Sequence, residues 1–271
     1  LYMKNLKLFF ILPFIFFFSC DIIEKPSNSF FYIEDTLNNN IFDDTNSYPQ
    51  KILILNFTGV RCPNCPRSHE EIVKLNSIYK NKIIDISFHG TALAIPNSLY
   101  KLDLRTNEGN ELITFFSINQ IPIGIVNSFD ISMLSLYSEW EENVNKQLET
   151  NHFLKFNTNI YKISDSVFNI NVSLVKKYDT LQLKKLFVYI TEDSILSRQA
   201  IDISPGYIEN YFEMNVFRKS LTNVKGNDIN GISSSYNLVI NKNWNIKNLK
   251  VVVFVTSYDN TIINTNEYKL Q

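Results

Sequence analysis

The chain has 271 residues, 45% of them hydrophobic, and a formal net charge of -1. That length accommodates two ordinary domains, and the composition is that of a globular body. With no basic run and no basic balance, nucleic-acid binding is excluded, and three cysteines are too few for a disulfide-stapled scaffold.

Residues 1–20 read as a targeting segment. Lys4 and Lys7 give a positive start, and residues 8–18 an apolar core too short to span a bilayer as a mature helix. Ser19-Cys20 resembles the cleavage site of a bacterial lipoprotein, which would make Cys20 the lipid-modified N-terminus, although Phe17 stands where such sites carry a small aliphatic residue. An ordinary signal peptide with an incidental cysteine is the alternative. Residues 21–48, rich in Asn, Asp, Ser and Pro without a sustained period, read as a flexible tether.

From residue 49 the pattern becomes α/β. Residues 52–57 are a short apolar strand, and 66–79 a helix with Pro66 in its first turn and Ile72, Leu75, Ile78 and Tyr79 on one stripe. Residues 83–88 form a second buried strand. Residues 106–116 form a second helix with Thr106 as N-cap and Leu112, Ile113, Phe115 and Phe116 as its apolar set. Residues 123–126, entered through Pro122, form a third strand, and 138–148 a third helix with Ser138 and Glu141 spaced as a capping box.

Beyond residue 150 the period changes. Residues 167–175 alternate polar and apolar, as a half-buried strand does, and 186–191, 236–240, 249–256 and 261–268 are further strands. Residues 207–220 read as a helix or a long loop. The expected fold class is therefore α/β plus all-β: an α/β domain over 49–150, then an antiparallel β-sandwich over 151–271.

The chemistry concentrates in Cys62-Pro63-Asn64-Cys65-Pro66, between the first strand and the first helix. A thiol at a helix N-terminus faces unpaired N–H groups and the positive end of the dipole, which favour the thiolate. A thiol of pKa about 8.5 is only ~3% ionised at neutral pH, whereas one near 7 is about half ionised. Cys62 is thus the candidate nucleophile and Cys65 the candidate resolving thiol. Two other roles stay open. A permanent disulfide over so short a loop stabilises by only about 2 kcal/mol. A metal site would recruit His69, four residues after Cys65, and His89 at the second strand end. No cofactor is called for.

The order strand, Cys-x-x-Cys, helix, strand, helix, Ile121-Pro122, strand, helix resembles the thioredoxin fold over residues 49–150. That resemblance implies a cis Pro122 lying against the cysteine pair, and so a third site residue beside Cys62 and Cys65. Asn56 departs from the pattern, because thioredoxins carry a buried carboxylate there that moves protons. More of the chain is similar to the twenty-eight-kilodalton outer-membrane protein family of the Bacteroidetes. The similarity rests on Phe57-Thr-Gly-Val-Arg-Cys-Pro-Asn-Cys-Pro66, Ser87-Phe-His-Gly90, Leu104-Arg-Thr-Asn-Glu-Gly109, Pro122-Ile-Gly-Ile-Val-Asn127, Asn243-Trp-Asn245 and Val251-Val-Val-Phe-Val255. It implies a protein held in the outer membrane by lipid on Cys20, with an exported or outer-membrane protein as partner.

Overall fold

The computed structural model describes residues 50–148, 154–176 and 182–270. In chain order the first part comprises β1 (Ile52–Thr58), α1 (Cys65–Tyr79), β2 (Ile83–His89), α2 (Asn107–Phe115), β3 (Ile123–Val126), β4 (Leu134–Ser135) and α3 (Trp140–Leu148). The later part is all strand. It comprises β5 (Leu154–Ser164), β6 (Val167–Lys176), β7 (Lys185–Glu192), β8 (Ile195–Ala200), β9 (Tyr207–Glu213), β10 (Val216–Ser220), β11 (Asn227–Asp228), β12 (Ser233–Val239), β13 (Leu249–Thr256) and β14 (Ile262–Lys269). The chain is thus mostly β, with few helices and several sheets.

Eight strands form one sheet in the order β14-β13-β7-β10-β2-β1-β3-β4, and β11 adds to β7. β1 and β2 are parallel, while β3 runs antiparallel to β1. The sheet crosses the expected boundary near residue 150 without a break. β10 joins the free edge of β2 through Val216 opposite Ser87, and the Ser87 amide donates to the Asn215 carbonyl at 2.9 Å. The described residues fall in one compact unit. The change of period at 150 marks a change of element type, because helices cover one region of the sheet and strands another.

Burial on both faces explains why β1, β7 and β13 read as continuous apolar runs. On one face Leu53, Leu55, Phe57 and Phe88 share a core with Phe187, Tyr189, Phe217 and Phe254, closed by Leu112 of α2 and by Phe116, its C-cap. On the other, Ile52 and Ile54 meet Ile72, Leu75, Trp140 and Val144 of α1 and α3. Further along that sheet, Val188, Ile190, Val251 and Val253 pack on Phe168, Ile170 and Val172 of the three-stranded sheet β12-β6-β5. Two sheets therefore stack face to face here, but one of them continues beneath the helices.

Four local expectations differ from the structure. Residues 207–220, expected as a helix or loop, form β9 and β10; β9 lacks clean alternation because most of it is exposed. The cap of α3 is not Ser138 with Glu141. A 3₁₀ turn, Tyr137–Glu139, precedes the helix, and the Glu139 carboxylate accepts from the Leu136 amide at 2.9 Å. Ile78 lies outside the buried stripe of α1, at 46% exposure, as does Phe115 of α2. β8 has no counterpart among the expected strands. Thr106 does cap α2, its hydroxyl accepting from the Gly109 amide at 2.9 Å.

Gly124 permits the close packing of β3. A Cβ there would lie 2.5 Å from Trp140 Cζ2 and 2.8 Å from the Leu55 carbonyl oxygen. Gly124→Ala is expected to destabilise the chain by about 1–3 kcal/mol through overpacking. Urea unfolding measures this, and an unchanged midpoint would mean that Trp140 does not press on this strand.

Candidate functional site

The cysteines lie where β1 turns into α1. Thr58 ends the strand, Val60 is buried, and the Cys62 amide donates to the Gly59 carbonyl at 2.9 Å, tightening the loop. Gly59 is required because a Cβ would sit 2.9 Å from the Leu93 carbonyl oxygen, a backbone atom that itself accepts from the Arg61 amide at 3.0 Å. Cys62 and Cys65 are joined as a disulfide, with Cα atoms 5.4 Å apart. Helix α1 begins at Cys65 after Asn64 as N-cap, so Cys62 stands two residues ahead of the cap rather than within the first turn.

Pro122 follows a cis peptide bond, and the carbonyl oxygen of Ile121 lies 3.6 Å from Cys62 Sγ. Three residues singled out by the sequence, Cys62, Cys65 and Pro122, are therefore together at one place. Cys20 lies outside the described residues. The Arg61 guanidinium donates to the Ala92 and Ile95 carbonyls at 3.3 and 3.1 Å.

Sequence reasoning missed the contribution of β8 and β9. These strands pair only with each other, as a ribbon laid against the cysteine loop. The Ala200 amide donates to the Val60 carbonyl at 2.9 Å, and Gln199 Nε2 to the Cys62 carbonyl, also at 2.9 Å. Cys62 is only 1% exposed and Cys65 is fully buried. Gln199 lies 137 residues from Cys62 and belongs to no motif, so nothing local in the sequence marks it.

A buried polar group lies under the ribbon. Glu213 Oε2 is 3.4 Å from His89 Nε2, with both side chains 1% exposed, and Glu213 Oε1 accepts from the Ser197 hydroxyl at 2.8 Å. Burial by itself would raise the Glu213 pKa, but His89, His69 and the Ser197 hydroxyl outweigh it and hold the carboxyl below its usual range. His69 hydrogen-bonds the Tyr211 hydroxyl through Nδ1, and Nε2 lies 3.4 Å from Thr58 Oγ1. Burial lowers its pKa, with Glu213 opposing. Among the described residues no three His, Cys, Asp or Glu side chains are arranged to hold a metal ion. Asn56 is fully buried; its amide donates to Ser87 Oγ at 3.4 Å, and its oxygen has no partner among the described residues.

The model of the outer membrane protein Omp28 family matches residues 109–271. The chain belongs to the Omp28 family. That match covers more than half of the chain but begins after both cysteines, so membership fixes location in the outer membrane and says nothing of the cysteine pair. The similarity expected around residues 57–66 lies outside the matched stretch. Among solved structures, HBP35 of Porphyromonas gingivalis is 16% identical, with a TM-score of 0.61, over 83% of this chain and 76% of that one. A protein from Agrobacterium tumefaciens is 14% identical, with a TM-score of 0.51, over 83% and 97%. A domain of the outer membrane lipoprotein Omp28 from Porphyromonas gingivalis aligns at 12% identity over 45% and 91%, with a TM-score of 0.33. No curated protein sequence matches the chain. Among the described residues no helix is long and apolar enough to cross a membrane.

Proposed function

We propose that this Omp28-family chain is an outer-membrane-anchored, thioredoxin-like protein that exchanges disulfides with exported proteins through Cys62 and Cys65. The observation that carries it is the seating of the Cys62–Cys65 disulfide ahead of α1, with the Ile121 carbonyl 3.6 Å from Cys62 Sγ. The parallel β1 and β2, with β3 antiparallel on the other side of β1, support the thioredoxin-like assignment of residues 49–150. In this scheme the Cys62 thiolate of the reduced pair attacks a partner disulfide, Cys65 resolves the mixed disulfide, and Pro122 lines the approach; in the reverse direction a partner dithiol reduces the Cys62–Cys65 bond. Cys20 carries the lipid, and the partner is an exported or outer-membrane protein.

A Cys65→Ser chain cannot release a mixed disulfide internally and is expected to accumulate a covalent adduct at Cys62, read by non-reducing electrophoresis and mass spectrometry. The reduction potential is the second measurement. A value below about -300 mV, together with no adduct, would assign the bond to structure. That second reading, a binding or assembly component with a structural disulfide, draws support from the burial of both cysteines.

A further inference from the structure

We propose that the β8–β9 ribbon is a strap that closes the exchange site. A protein partner would reach Cys62 only when the ribbon gives up its two hydrogen bonds on the cysteine loop. This rests on the redox role proposed above and adds how the site is opened and what kind of segment replaces the strap.

Cys62 Sγ has the Ile121 carbonyl on one side, and the ribbon binds the cysteine loop from another, through Ala200 to the Val60 carbonyl and Gln199 to the Cys62 carbonyl. The first of these is a strand-like backbone contact. An extended segment of a partner would offer the same N–H to Val60, so the ribbon occupies the place of a partner's backbone. The Gln199 side-chain oxygen is buried and has no partner among the described residues, so Gln199 is held there at a cost that the two donated bonds offset.

The ribbon is built to move as a unit. It pairs with no third strand, so lifting it breaks no bond of the large sheet. Its two roots, Ser194 and Asn215, both adopt left-handed backbone conformations, with φ of 57° and 50°. The roots are tied: the Asn215 amide donates to Asp193 Oδ1 at 3.1 Å, Glu213 faces His89, and Tyr211 stacks on and hydrogen-bonds His69 of α1. The tip is held by one ion pair, Arg67 with Asp202, whose side chains are half-exposed and therefore bind weakly. Arg198 with Glu209 links β8 to β9, so the two strands stay together when the tip lifts.

The exchange step balances within the pair and its reductant. A dithiol's thiolate attacks Cys62 Sγ, the Cys62–Cys65 bond breaks, and Cys65 leaves as a thiolate that takes up a proton. The reductant's second thiolate then attacks the mixed disulfide, releasing Cys62 and leaving the reductant oxidised. Two electrons pass to the cysteine pair.

The test uses the full chain, with dithiothreitol and reduced, unfolded ribonuclease as the small and protein dithiols. Gln199→Ala is expected to raise the rate with ribonuclease by about tenfold, the upper end of what one hydrogen bond contributes, and Asp202→Lys, at an exposed position, by about threefold, as loss of a half-exposed ion pair allows. The reduction potential should stay unchanged, because the strap closes over oxidised and reduced pairs alike. Faster amide exchange at Ala200 in Asp202→Lys would locate the opening. If both variants react with ribonuclease at the parent rate, the strap is not a gate and the redox role stands. If no chain reacts with either dithiol, the redox role falls, and the strap with it.

Discussion

A Phe187→Ala chain is expected to lose about 3–5 kcal/mol of stability and to unfold in one transition that takes residues 50–148 down with the later strands. Phe187 is fully buried and stacks on Phe254 with ring centroids 4.3 Å apart. It also meets Phe129 at 4.7 Å, while Phe88 meets Phe217 at 4.8 Å, so rings from both sides of residue 150 share one core. Deleting the ring leaves a cavity that its rigid neighbours cannot fill. Urea unfolding followed by the near-ultraviolet signal, with hydrogen exchange resolving β1 and β13, measures it. Two separated transitions, with β1 still protected after β13 has opened, would establish an independent domain ending near residue 150.

The second large effect is a pH dependence. Asp85 on β2 is buried beside Lys250 and Asn215, facing a polar cavity that Lys51 and Glu267 also line. Burial pushes its pKa up to about 7, against the pull of Lys250 and of the Asn215 amide, which donates to it at 2.8 Å. Its unfolded value is about 3.9. Between about pH 4 and pH 7 the folded chain therefore keeps a proton that the unfolded chain has released, and stability falls as pH rises through that window. Asp85→Asn keeps the acceptor and removes the charge. Its stability advantage over the parent is expected to widen by about 2–3 kcal/mol between pH 5 and pH 8. Parallel curves for the two chains would mean that Asp85 is already ionised at pH 5.

The sequence by itself located the cysteine pair, the strand before it, the helix after it, and Pro122. Each of these has a local signature: an apolar run, a fixed spacing, a proline at a strand entry. It also located β6 by alternation, and β7 and β13 by short apolar runs, because burial on one face or two writes itself directly into residue order. The family followed from residues spread along the chain, and the match over 109–271 bears it out.

What the sequence did not carry is which strands are neighbours. β10 reaches β2 through a single pair of facing residues, and no local pattern encodes an edge-to-edge meeting 129 positions apart, from Ser87 to Val216. The ribbon was illegible for a related reason. β8 is short and its buried residues Ser197 and Gln199 are polar, and β9 is largely exposed, so neither periodicity nor hydrophobicity marks them, yet Gln199 reaches the cysteine loop and Glu213 faces His89. Local physics determined the cysteine pair. Only the tertiary structure decided that a remote amide donates to the Cys62 carbonyl and that a glutamate from β9 supplies the buried carboxylate of the region, because hydrogen bonds across the fold depend on proximity that chain order does not contain.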